Sequence, residues 1–285
     1  MAYQDISVIA SFQDESLLRN QNASGLDVLV QLKENNLTYA LFDKSQKKIL
    51  CLESFSTQHR KVNHLCNYLF QQKLSQIPIN QIRIAFTSPY STLVPESLYQ
   101  SNKISTFLSF NFSTLPQNAT ALSDKLTHLH SYNIYAVPSE MYEISHLFKN
   151  VSTYHFATPL LESFAINFPN STAKSALIHI QDSHFELLIF SSHQLVLFNS
   201  FTYKTPEDIA YYTLFTLEQL KISPKEINAI VAGEIEKKSD YYSILYTYIK
   251  HLKLAQRPKE LNYSYVLNEI PSHYYYLLFN LVVCE

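Results

Sequence analysis

Residues 177–220 read LIHIQDSHFELLIFSSHQLVLFNSFTYKTPEDIAYYTLFTLEQL. Apolar runs separated by short polar turns predict three antiparallel strands in the first part of this stretch. Thr205-Pro206-Glu207-Asp208 then predicts a helix start, because a capping hydroxyl precedes a proline and two carboxylates in the first turn. Apolar residues at helical spacing extend this helix to Leu220. The predicted strands are 177–180, 185–190 and 195–201.

The same order of elements occurs earlier in the chain, which indicates an internal duplication. The turn Glu34-Asn35-Asn36 corresponds to Asp182-Ser183-His184. In both copies three strands lead into a helix and then into a buried strand, which predicts an α/β protein with mixed sheets and two lobes. The earlier copy comprises strands at 29–32, 37–42 and 49–55, a helix at 57–73 and a buried strand at 82–86, and the later buried strand is 227–232.

A polar segment, Phe168-Pro169-Asn170-Ser171-Thr172, precedes the second copy and is the best candidate for a domain boundary. We therefore expect a first lobe over residues 1–168 and a second lobe over 169–285. A region around 88–137 does not follow the repeated pattern and is predicted to be an inserted subdomain of the first lobe. The second lobe ends in a tyrosine-rich tail, Leu261–Cys284.

The composition argues against several classes of protein. Hydrophobic residues make up 46% and charged residues 16% of the 285, and the formal net charge is -2. Without a long Lys/Arg run, we expect no binding to nucleic acid. No segment has the length and hydrophobicity of a membrane span or a signal peptide, so we expect a cytoplasmic protein without membrane insertion. Cys51, Cys66 and Cys284 lie in apolar contexts and are predicted to be reduced core thiols.

Glycine is scarce, since Gly25 and Gly233 are the only two in the sequence. The phosphate loop and the dinucleotide fingerprint each need at least two glycines at short spacing, because the backbone there must approach a phosphate closely. Both motifs are therefore excluded. No Gly-x-Ser-x-Gly elbow and no His, Cys and acidic set at metal-site spacing occurs, so no catalytic or metal-binding residue is assigned.

The duplicated unit of three strands, a helix and a further strand resembles the core of the actin-like ATPase (ribonuclease H-like) fold of actins, sugar kinases and heat-shock chaperones. Several short stretches carry a closer resemblance: Thr92-Leu93-Val94-Pro95-Glu96, Asn199-Ser200-Phe201, Thr205-Pro206-Glu207-Asp208, Tyr211-Tyr212 and Ile230-Val231-Ala232-Gly233. In these stretches the chain resembles a Bacteroidetes family with this fold, the domain-of-unknown-function family 3822. The resemblance implies a bacterial protein with this fold and leaves its activity open.

In ATP-using members of the superfamily, the first hairpin of each copy carries an Asp-x-Gly turn that holds phosphates and organises the metal. The resemblance places these positions near Gln31 and Lys33 in the first copy, and near His179 and Gln181 in the second. Both aspartates and both glycines are missing. Gly233 matches one glycine of the strand-end turn beneath the adenosine.

Glu34 and Asp182 occupy matching turns, so both could face a central cleft and hold a divalent cation. The alternative is that they are ordinary turn residues, since Asp and Glu are common in turns, and we favour that interpretation. If a nucleotide or metal binds in the cleft, the candidate contacts are Lys33, Glu34, Asp182 and Gly233.

Tyrosine is abundant in the last third of the chain. Helical spacing predicts that Tyr242, Leu245, Tyr246 and Ile249 pack in the core. For the tyrosines of the tail, core and interface remain equally open, because a tyrosine ring suits both environments.

These features favour a non-catalytic scaffold without a cofactor, which binds an unknown protein partner through the inserted region. The alternative is an ATPase that binds ATP with Mg²⁺ through side chains rather than through glycine-rich turns. The missing glycines count against this alternative. The sequence leaves the partner and the oligomeric state open.

Overall fold

The computed structural model describes residues 5–13, 25–58, 62–167, 173–192 and 194–284. The chain forms two compact units. The predicted boundary at 168–172 lies outside the described residues. Unit 1 comprises residues 1–160, 258–269 and 278–285, and unit 2 comprises residues 161–257 and 270–277.

Strands account for most of the regular structure of both units. They are β1 (Ile6–Phe12), β2 (Leu26–Leu32), β3 (Asn36–Asp43), β4 (Lys48–Thr57), β5 (Ile79–Phe86), β6 (Ser91–Pro95), β7 (Ala119–Leu126), β8 (Ser131–Pro138), β9 (Val151–His155), β10 (Ser175–Ile180), β11 (His184–Ser191), β12 (Gln194–Thr202), β13 (Asn228–Gly233), β14 (His251–Leu254) and β15 (Asn262–Tyr263). Runs of Val, Ile, Leu and Phe in β2, β3, β10 and β11 account for their burial on both faces.

Helices connect these strands, and α5 is the longest of those described here. The α-helices are α1 (Val62–Tyr68), α2 (Ile104–Asn111), α3 (Ser139–Glu143), α4 (Ala157–Asn167), α5 (Pro206–Gln219), α6 (Asp240–Tyr248) and α7 (Tyr276–Asn280). A π-helical turn, Leu69–Lys73, follows α1. Helix α5 begins where the sequence predicts a helix start. The Asp208 carboxylate stabilises this start by accepting hydrogen bonds from the backbone N–H groups of Lys204 (2.8 Å) and Thr205 (3.0 Å).

The main sheet of unit 1 has the strand order β1-β4-β3-β2-β5-β9, and β15 pairs with β4. Strands β2, β3 and β4 form an antiparallel meander, and β5 runs parallel to β2. The five-stranded sheet of unit 2 has the order β12-β11-β10-β13-β14. Its strands β10, β11 and β12 are antiparallel, and β13 runs parallel to β10. The two units therefore share one order of elements.

The region predicted as an insertion contains a separate three-stranded sheet in unit 1, with the order β6-β8-β7. Helix α2 contributes to the small core of this sheet through Leu108, which packs with Val94 and Ile134. Two large apolar side chains of this subdomain face solvent, since Phe110 is 89% exposed and Leu98 is 61% exposed.

A buried carboxylate joins β7 of this three-stranded sheet to the end of β9 and the start of α4. Asp124 accepts hydrogen bonds from the backbone N–H of His155 (2.7 Å), the hydroxyl of Thr158 (2.6 Å) and the hydroxyl of Tyr135 (3.1 Å). The ring of His155 in turn lies with Nε2 2.8 Å from the Ser88 carbonyl. Burial raises the pKa of Asp124 to about 7, although these three hydrogen bonds act in the opposite direction.

We expect the Asp124→Asn substitution to remove a pH dependence of the free energy of unfolding. A carboxyl group whose folded pKa is raised contributes stability below its unfolded pKa, 3.8, and this contribution is lost as the pH rises through about 7. Between pH 3.8 and about 7, the free energy of unfolding of the wild type should therefore fall by up to about 4 kcal/mol relative to that of Asp124→Asn. Urea titrations at several pH values measure this difference. Glu140→Gln, at an exposed carboxylate in the same unit, is the control. A constant difference would contradict this role of Asp124.

The strands and helices predicted from the repeated pattern are present, but three details differ. Thr57, the predicted first residue of the helix in the earlier copy, is the last residue of β4. Tyr246 is 62% exposed, so the prediction that it packs in the core was wrong. The C-terminal tail is divided between the units, because β15 adds to β4 and the buried side chains of Leu278 and Phe279 belong to unit 1.

All three cysteines are buried and none of them is in a disulfide bond, as predicted. Burial raises the pKa of the Cys51 and Cys66 thiols to about 12, which makes both unreactive at neutral pH. None of the helices in the described ranges is both long enough and apolar enough to span a membrane.

Candidate functional site in the strand hairpins

The β2–β3 hairpin carries two of the candidate residues, Lys33 and Glu34. The backbone N–H of Lys33 donates to the Asn36 carbonyl at 2.8 Å and closes the turn. The Asn35 carbonyl at its tip accepts from the Thr57 N–H at 3.0 Å, so the end of β4 covers the turn. Lys33 is half-buried and Glu34 is exposed.

The β10–β11 hairpin of unit 2 repeats this bonding. The Gln181 N–H donates to the His184 carbonyl at 2.9 Å, and the Ser183 carbonyl accepts from the Tyr203 N–H at 3.2 Å. No residue of either turn, both of which are fully described, has a positive φ. The turns therefore form without the backbone conformation for which glycine is needed.

Asp182 and Gly233 lie at the same end of the unit 2 sheet. Asp182 is exposed at the tip of the β10–β11 hairpin, and Gly233 is paired with Ile180, the last residue of β10. Gly233 has a φ of +110°, and its N–H donates to the His273 carbonyl at 3.0 Å. The structure thus brings together the two candidate residues of unit 2, and Lys33 and Glu34 are neighbours in unit 1.

A cluster of polar side chains that sequence reasoning missed surrounds Glu186 on β11. We call it the Glu186 cluster. Glu186 Oε2 accepts hydrogen bonds from His179 Nδ1 (2.8 Å) and Gln181 Nε2 (3.2 Å). Its Oε1 lies 3.3 Å from His184 Nε2 and accepts from the Ser200 hydroxyl at 3.4 Å. His179 and Gln181, at the positions where the Asp-x-Gly motif is expected, are thus both bonded to one carboxylate.

The Glu186 carboxylate is fully buried. Burial raises its pKa, but the hydrogen bond and charge of His179, together with His184 and Gln181, lower the pKa by more, so the net shift is downward. The Glu186 carboxylate is therefore held in its charged form, with the imidazole rings of His179 and His184 at ion-pair distance from it. One signal in the sequence could have found it, because Glu186 is a single charge inside the apolar run FELLIF, and a buried charge requires partners.

Unit 1 has no carboxylate at the corresponding position. In unit 1, Thr38 on β3 pairs with Gln31 on β2 and with Ser54 on β4. In unit 2, Glu186 on β11 pairs in the same way with His179 on β10 and with Ser200 on β12. Thr38 therefore corresponds to Glu186. The Thr38 and Ser54 hydroxyls are hydrogen-bonded at 2.9 Å. The two hairpins therefore share their backbone bonding and differ in charge.

Solved structures of other proteins share this architecture. A protein with an actin-like ATPase fold and unknown function from Bacteroides thetaiotaomicron aligns with a TM-score of 0.72 at 16% identity, covering 82% of this chain and 91% of that protein. The PilM–PilN type IV pilus biogenesis complex aligns with a TM-score of 0.59 at 10% identity, covering 90% of this chain and 97% of that one. The fold is the actin-like ATPase fold, as predicted.

No curated protein matches the sequence. A family model does match it, over residues 15–252, and confirms the family suggested by the sequence motifs. The chain therefore belongs to the family described as Protein of unknown function (DUF3822).

Proposed function

We propose that this protein is a non-catalytic member of the actin-like fold, which has a degenerate nucleotide site and binds another protein. The observation that carries the proposal is the Glu186 cluster. In it, the residues at the expected Asp and Gly positions are bonded to a buried carboxylate. Because both side chains are bonded to this carboxylate, these two positions supply neither a carboxylate for a metal ion nor a glycine for the close approach of a phosphate.

Side chains at both hairpins add to this argument. Lys33 and Gln181 stand where the resemblance implies glycine, and each carries a Cβ atom where glycine would let the backbone approach a phosphate. The N–H of each of these residues is already engaged in closing its own turn. A nucleotide would have to be held by other groups, and Lys33, Glu34 and Asp182 are the candidates for that alternative.

Partner binding is supported by the inserted subdomain. Phe110 and Leu98 are large apolar side chains on its surface, at 89% and 61% exposure. Aromatic residues are enriched at protein interfaces, and a phenylalanine ring this exposed is a candidate for one. The fold is compatible with such a role, since PilM has been solved in complex with PilN. The shared order of elements in the two units supports an internal duplication that kept the fold and lost the nucleotide site.

Calorimetric titration of the purified protein with ATP and Mg²⁺ tests the first half of the proposal. We expect no saturable heat with millimolar nucleotide. Micromolar binding would overturn the degenerate nucleotide site, and its loss in Lys33→Ala or Asp182→Ala would place the bound nucleotide at the two hairpins. The matched control is Lys225→Ala, at an exposed lysine remote in sequence from both hairpins.

The second half is tested by chemical crosslinking of the tagged protein in its own cells. A specific partner should crosslink to residues of the inserted subdomain, and Phe110→Asp should abolish that crosslink while leaving the melting temperature unchanged. Phe215→Asp, at an exposed phenylalanine of unit 2, is the control. Equal crosslinking by both variants would contradict docking on the inserted subdomain.

A further inference from the structure

The sheet of unit 2 ends in an unpaired edge. Strand β14 is the last in the order β12-β11-β10-β13-β14, and no other described strand pairs with its outer side. The Ala255 N–H donates to the Val231 carbonyl at 2.8 Å, which fixes the parallel ladder with β13. Because backbone groups in a parallel ladder alternate in direction, those of Leu252 and Leu254 point to the outer side. This edge can accept a further strand.

A groove of about 840 Å³ lies between β14 and helix α6 of the same unit. Tyr242 and Tyr246 form its helical side, with their rings stacked at a centroid distance of 6.0 Å, and Leu252 and Leu254 contribute from the strand. Tyr246 is 62% exposed, although a ring of this size is usually covered in a core or an interface. Pockets for alternate side chains beside an open edge are the features that bind an extended peptide.

The charge of the groove selects among peptides. Lys237 and Lys253 are among its lining residues, and none of the lining residues is acidic. Glutamate or aspartate side chains on the peptide would therefore meet lysine ammonium groups along the edge.

We propose that β14 and the groove beside α6 bind an extended acidic segment of a partner protein, which adds to the sheet as a further strand. Apolar side chains of that segment enter the groove between Tyr246 and Leu254, and its acidic side chains lie near Lys237 and Lys253. This surface belongs to unit 2 and the inserted subdomain belongs to unit 1. The two proposals therefore stand independently.

Fluorescence anisotropy with a labelled octapeptide of alternating glutamate and valine tests this site on the full-length protein. We expect a Kd of roughly 10–100 µM. The same peptide with lysine in place of glutamate, or with N-methyl groups on alternate backbone amides, should bind at least about ten-fold more weakly, because the first loses the charge match and the second the strand pairing. The proposal would be overturned if the glutamate peptide failed to bind at about 1 mM, or if all three peptides bound equally well.

Two variants locate the binding site. Leu254→Pro removes an outward N–H and leaves the ladder with β13 intact, so it should weaken binding about ten-fold without unfolding the protein. Lys253→Glu should also weaken binding about ten-fold, because it places a negative charge beside the acidic peptide. Lys225→Glu, at an exposed lysine outside the groove, should have no effect. Wild-type affinity in both groove variants would contradict the site. A dimer by sedimentation that Leu254→Pro dissociates would show that a second copy occupies the edge instead.

Discussion

Gly233→Ala should destabilise unit 2 by at least about 3 kcal/mol and weaken the pairing of β10 with β13. A Cβ atom at this position would lie 2.0 Å from the Ile180 carbonyl oxygen, which is backbone and cannot move without separating the two strands. The φ of +110° adds strain for any side chain. Hydrogen exchange of the β10 and β13 amides, together with urea titration by circular dichroism, measures the effect.

Gly25→Ala is the matched control for Gly233→Ala. Its φ of +72° is also positive, but its added Cβ would lie 3.1 Å from the nearest atom, the Pro78 carbonyl oxygen, so a small shift relieves the contact. We expect a cost of about 1–2 kcal/mol there. If the two substitutions cost the same, steric contact with Ile180 is not what requires glycine.

Loss of ligand binding in a Gly233 variant would in any case report a disrupted sheet, so this glycine is unsuitable as a probe of nucleotide binding.

Glu186→Ala is expected to cost about 3–5 kcal/mol, because it leaves the buried side chains of His179 and Gln181 without their common acceptor. Glu186→Gln keeps the shape and an acceptor oxygen, and should cost about 1–3 kcal/mol. Thr38→Ala, at the same register position in unit 1, removes a hydroxyl that bonds with Ser54 and Asn36, and should cost about 1 kcal/mol. Urea titrations at pH 7 give all three values. A cost for Glu186→Ala no greater than that of Thr38→Ala would show that the cluster does not stabilise the hairpin.

The wild-type protein should also lose the contribution of Glu186 in acid. The folded pKa of Glu186 is lowered from its ordinary value of 4.5, so the stabilisation is complete above that pH and is lost as the pH falls through the folded pKa. Glu186→Gln removes this dependence. The difference in free energy of unfolding between the two proteins should therefore shrink as the pH falls below 4.5.

The strands of the repeated pattern were predictable because their apolar runs are bounded by polar turns, and a fully buried strand needs no other signal. Strands β1 and β7 were not predicted, since Ser7 and Ser11 in one and Ser123 to Lys125 in the other break the apolar pattern. Their pairing with β4 and β8 determines their structure. Local sequence carries little information about such strands, because tertiary contacts decide them.

The position of the candidate site could be predicted from the sequence, but the hydrogen bonds among its side chains could not. The sequence located the hairpin turns, and the missing glycines stood out there. It did not show that His179 and Gln181 share an acceptor, because that depends on the register between β10 and β11. Tyr246 illustrates the same limit. Its spacing from Tyr242 places both on one side of α6, but only Tyr242 lies deep enough to be buried.

The divided tail has a consequence for how the protein is made. Unit 1 is assembled from three separate stretches of chain, of which the last begins at Leu278. Leu278, Phe279 and Leu281 have no exposed surface, so the core of that unit is incomplete until they are in place. During synthesis, most of unit 1 leaves the ribosome first but must wait for the whole of unit 2 to be translated before its last core residues arrive. Unit 1 can thus reach full stability only after unit 2 has been translated, and a fragment that stops at residue 257 would lack that stability.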